Sequence, residues 1–70
     1  MPLTIAPLDT ILTIVKVIGD EKTKKHLQSL GVVLNGKISV ISNSNGNVII
    51  EVKGVRLALN RDIASKIFVA

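Results

Sequence analysis

His26 is the one side chain in this 70-residue sequence suited to moving a proton near neutral pH. Its neighbours are Lys24, Lys25, Leu27 and Gln28, and no carboxylate stands at i+3 or i+4 to orient the ring. There is no cysteine and no second histidine, so neither a thiolate cluster nor a His-x-x-x-His metal pair can form. The five carboxylates, Asp9, Asp20, Glu21, Glu51 and Asp62, are dispersed and do not form the paired set that acid and base catalysis needs. None of Ser29, Ser39, Ser42, Ser44 or Ser65 sits in a G-x-S-x-G elbow. The glycines build no phosphate-binding loop. We therefore expect no enzyme, no resident metal and no cofactor.

The basic residues are the remaining chemical feature, nine Lys and Arg against five acids for a net charge of +4. Lys53, Arg56, Arg61 and Lys66 fall near one another in the second half and would form a candidate basic patch if the fold joined them. A small basic nucleic-acid-binding module is thus the alternative to consider. Stacking aromatics usually complete such surfaces, and this chain has no Tyr or Trp and one Phe, Phe68, which disfavours nucleic acid. The same lack removes a polyproline groove. Lys22, Lys24 and Lys25 form a second basic run, read first as a solvated helix face and second as an acidic docking surface, one that would receive acidic partners.

The elements that must carry these residues are mainly strands. Ile and Val together supply 19 residues. TILTIVKVI, Thr10 to Ile18, is apolar on both faces and predicts a well-buried first strand. Asp20 is placed to cap a helix over Glu21 to Leu30, which Gly31 ends. Leu27 and Leu30 alone dock it. Asn35-Gly36 predicts a turn, followed by a strand from Lys37 to Ser42 and a loop over SNSNGN. NVIIEVK and VRLAL then complete a meander, with Val48, Ile50 and Val52 inward and Val55, Leu57 and Leu59 inward after a reversal at Gly54. Asn60 caps one helical turn, and a last strand, burying Ile67 and Phe68, is expected to pair with the first. The expected fold is a single mainly β domain, a small SH3-like barrel of about five strands with one short helix after the first strand and one helical turn before the last. No apolar run approaches the length of a membrane span and no leader is visible, so a cytoplasmic protein is expected.

The stretch LQSLGVVLNGKISVI, Leu27 to Ile41, resembles the FeoA family of ferrous iron transport proteins. The resemblance rests on Leu30-Gly31, Val32-Val33, the turn at Asn35-Gly36 and Ile38-Ser39-Val40. It continues through Val52-Lys53-Gly54, Ala58-Leu59, Ala64 and Ile67-Phe68-Val69. Two positions depart from the family pattern. Asn35 stands where a proline is usual, and Leu8-Asp9-Thr10 replaces a glycine often found before the first strand.

The resemblance implies a non-enzymatic accessory or regulatory protein of bacterial ferrous iron uptake. Its partner would be the cytoplasmic part of a FeoB-type transporter, reached at the inner face of the membrane. It does not imply GTPase activation, for which Arg56 and Arg61 are the only candidate fingers. The candidate partner-binding residues are Leu30, Val33 and Leu34, an aliphatic run leading into a turn, with an all-core placement as the competing expectation. An open edge on the last strand would permit a homodimer by strand addition.

Overall fold

The computed structural model describes all residues from Met1 to Ala70. Five antiparallel strands make one sheet: β1 (Leu12–Val17), β2 (Lys37–Ser44), β3 (Asn47–Val52), β4 (Val55–Asn60) and β5 (Ile67–Val69), in the order β4-β3-β2-β1-β5. α1 (Glu21–Ser29) follows β1, and the single turn α2 (Arg61–Ala64) precedes β5. The 14 buried residues are all apolar and form one cluster. The core is therefore held by apolar packing without a disulfide, the chain having no cysteine.

Local chemistry explains the helices. The Asp20 carboxylate accepts from the Thr23 N–H at 2.8 Å and opens α1. At the other end Gly31 takes φ +97°, its N–H bonds the Gln28 carbonyl and the Val32 N–H bonds the Leu27 carbonyl, both at 3.0 Å. That is a Schellman closure, which needs a residue free to adopt a left-handed conformation. A Cβ on Gly31 would also meet Val52 Cγ1 at 3.2 Å, so the helix end packs against β3. Asn60 caps α2 in the same way as Asp20, accepting from Ile63 N–H at 2.8 Å.

The meander follows its alternation in β3, where Val48, Ile50 and Val52 are buried. Its turns differ from expectation in one place. SNSNGN is not a loop: β2 runs to Ser44 and β3 starts at Asn47, leaving Asn45-Gly46 as a two-residue reversal. The polar residues keep their place because Asn43 satisfies its amide outside the ladder, donating to the Thr4 carbonyl at 2.7 Å and accepting from Arg61 at 3.2 Å. In β4, Leu59 is buried and Leu57 half-buried, but Val55 is exposed. It lies at the hairpin end of an edge strand, beyond the core.

β1 departs furthest from expectation. It pairs with β5 as predicted, Ile14 opposite Val69 and Val17 opposite Ile67, but Lys16 faces Phe68, which makes Val15 an extra residue. This bulge turns Val15 and Lys16 outward in succession, so β1 is not buried on both faces. Phe68 is only half-buried, and Val69 takes the core position beside Ile67. Residues 1–9, which the residue pattern left unassigned, complete the core. Leu3 is fully buried within a 3-10 turn, Pro2 bridges to Phe68, and the Val69 N–H bonds the Met1 carbonyl at 2.8 Å. Leu8 bridges to Val40, and Asp9 adopts φ +56°, the left-handed turn that a glycine would otherwise supply before the first strand. The outer edge of β5 is thereby occupied, which removes the edge on which a strand-addition dimer was expected. β4 and β5 do not ladder to each other, so the domain is an SH3-like sheet rather than a fully closed barrel, and the N-terminal segment links β5 to β2 through the Pro2–Phe68 and Leu8–Val40 bridges.

Candidate functional site

The bulge at Val15 creates the main concavity. A groove of about 630 Å³ lies between β1, α1 and the segment after the helix. Val15 and Val17 form one wall, Lys24, Lys25 and Gln28 of α1 the other, and Val32, Val33 and Leu34 the end. Val15 is 50% exposed and Leu34 60%, so much of the apolar lining faces water. α1 cannot cover it, because only Leu27 of the helix is buried and the first turns are polar.

Local structure positions each wall. The 31–36 segment is held against β1 by backbone bonds from Asn35 N–H to the Ile14 carbonyl at 2.8 Å and from Ile14 N–H to the Gly36 carbonyl at 2.9 Å. A turn from Val33 to Gly36, closed by a 3.0 Å bond, throws Leu34 outward. Asn35 occupies its third position with φ +67°. A proline could adopt neither that angle nor the bond to Ile14, so the departure from the family pattern suits this backbone.

Lys16, Lys24 and Lys25 surround the apolar lining, opposed within the groove by Glu21. The single ion pair of the molecule, Arg56 to Glu51 at 3.6 Å, lies elsewhere, so these lysines are not committed to internal carboxylates. Lys16 Nζ lies 5.9 Å from the centroid of the Phe68 ring, a cation-π contact that leans it over β5. Asp20, at the helix entrance, has its carboxyl held below the ordinary value of 3.8. The Thr23 N–H is the main cause, and the charge of Lys66 contributes.

The structure divides the residues singled out in the sequence. Val33 and Leu34 line the groove, Val33 half-buried and Leu34 exposed, whereas Leu30 is the half-buried C-cap of α1 and does not line it. The four basic residues are not gathered into one patch. Arg56 pairs with Glu51 near the start of β4, and Arg61 opens α2 beyond the other end of that strand, bonded to Asn43 beside the β2–β3 reversal. Lys66 lies by Gly19 and Asp20 at the start of α1, and Lys53 beside Gly31 at its end. Val15, Lys16 and Val17 are the groove residues that the residue pattern did not single out. The signal available was Lys16 itself, a charge inside an otherwise apolar run.

A family model for the FeoA domain matches residues 1–70. The chain belongs to the FeoA family. An Fe(2+) transport protein A of Methanocaldococcus jannaschii is 44% identical over 45 residues, 64% of this chain and 55% of the relative, so the match spans about half of that relative's length. The crystal structure of an iron uptake regulatory protein, also FeoA, superposes with a TM-score of 0.90 at 26% identity, covering 99% of this chain and 93% of that one. Stenotrophomonas maltophilia FeoA, crystallised with zinc and described as a procaryotic SH3 domain protein, gives 0.85 at 21% identity, covering 100% and 89%. The SH3-like architecture of this FeoA domain is therefore shared with solved structures.

Proposed function

We propose that this FeoA domain is a non-catalytic accessory protein of bacterial ferrous iron uptake that docks on the cytoplasmic part of a FeoB-type transporter. The observation that carries the reading is the open β1–α1 groove, a concave, partly apolar surface that the domain leaves in water. Exposed aliphatic surface of this kind is stabilised by a partner that covers it. Family membership supports the transport context. The dispersed titratable groups fit a role in binding: no buried residue is polar, and no three His, Asp or Glu side chains converge. With the basic residues of the second half standing apart, no observation favours the nucleic-acid alternative.

The test is retention of a FeoB-type transporter, and separately of its cytoplasmic GTP-binding domain, by the immobilised full chain, in the nucleotide-free, GDP-bound and GTP-analogue states. Retention in at least one state is expected. Failure to retain either form in all three states would remove the reading.

A further inference from the structure

We infer that the β1–α1 groove binds an acidic aliphatic segment of a partner protein, a stretch whose branched side chains seat on Val15, Val33 and Leu34 while its carboxylates meet Lys16, Lys24 and Lys25. The inference rests on the accessory reading and adds which surface is used and what chemistry it selects. Three lysines against one carboxylate, Glu21, give the groove a positive rim around an apolar floor. None of the three is in a salt bridge, so an incoming carboxylate displaces no internal carboxylate, and Lys16 has only its cation-π contact with Phe68 to give up. Charge at such a rim steers encounter and sets the sign of the ligand, while the floor supplies the contact area.

Other occupants fit less well. The groove is concave, with a volume in the range of pockets that enclose a drug-sized ligand and so large enough for several side chains of a short segment, whereas a bilayer needs a flat or protruding apolar surface. Its walls carry no aromatic residue on which a base could stack. A second copy of this chain offers no acidic aliphatic stretch, because its five carboxylates are dispersed and Asp20 is engaged as a helix cap.

The experiment uses the full chain, labelled with nitrogen-15, and three probes: a short synthetic peptide alternating Glu and Leu, the same peptide with Lys for Glu, and phosphatidylglycerol vesicles. The acidic peptide is expected to shift the amide resonances of Val15, Gln28 and Leu34, and the basic peptide to leave them unchanged. The double variant Lys24→Glu, Lys25→Glu, on an exposed helix face, should weaken the acidic peptide about tenfold and flatten its salt dependence. Leu34→Ser should weaken it while leaving the salt dependence intact.

Shifts confined to another face, equal response to both peptides, or vesicle binding without peptide binding would overturn the inference. The same double variant then goes into the transporter retention assay. Unchanged retention overturns the groove while leaving the accessory reading in place. A groove that binds the acidic peptide on a chain that retains no transporter upholds the groove and removes the accessory reading.

Discussion

The β2–β3–β4 meander and β1 are built from the same branched aliphatic residues, and water reaches them very differently. In β3 each inward residue, Val48, Ile50 and Val52, is buried, and the outward Glu51 pairs with Arg56 across the ladder. In β1 only Ile14 is fully buried, and its neighbours Ile11, Val15 and Ile18 stand in solvent, Ile11 at 75% exposure. A strand is buried on as many faces as the rest of the fold covers, and the polar helix beside β1 covers little. The meander carries stability, while the surplus apolar surface of β1 is available for contact.

The sharpest way to break that comparison is Ile50→Ala, which should cost about 2–5 kcal/mol through lost burial and a residual cavity, read by chemical denaturation. Leu3→Ala should cost about 2–3 kcal/mol, at the low end of the same range, because the N-terminal segment belongs to the core despite lying outside every strand. Stability unchanged by Leu3→Ala would mean that the segment does not contribute to the core.

Asn35→Pro should cost more than about 1 kcal/mol, since it loses the 2.8 Å bond to Ile14 and cannot hold φ +67°. In the same variant the amide resonances of Ile14 and Val15 should shift, as the turn that seats the groove end against β1 is released.

A smaller effect is expected at the helix entrance. The folded-state pKa of Asp20 is lowered, so its contribution is fully present above its ordinary value near 3.8 and is lost as pH falls through the lower folded value. Asp20→Asn should flatten this part of the acid-side stability curve, measured by thermal melting as a function of pH. Smallest of all is Val15→Ser, which should change stability by no more than about 0.5 kcal/mol, because the bulge already places the residue in water. A loss approaching that of Ile50→Ala would erase the difference between the two regions.

Much of the fold was legible locally. Asp20 and Asn60 cap the helices they precede, Gly31 closes α1, and Lys53-Gly54 turns β3 into β4 with positive φ at both residues. The groove was legible only in part. Val33 and Leu34 stand in it because they lead into a turn, which the Asn35-Gly36 pair signalled. Val15 was hidden because its outward placement depends on register against β5, more than 50 residues later in the chain. The polar SNSN stretch read as a loop because its compensating partners, Thr4 and Arg61, are distant in sequence.

The sequence by itself determined the succession of strands and helices along the chain, capping, the inward face of β3 and the family pattern, since each depends on residues a few positions apart and on side-chain alternation or one hydrogen bond. Tertiary structure alone decided the bulge at Val15, the burial of Leu3, the occupied edge of β5 and the dispersal of the four basic residues. Those outcomes depend on which distant backbone groups find one another, a competition among long-range pairings that local propensity does not resolve.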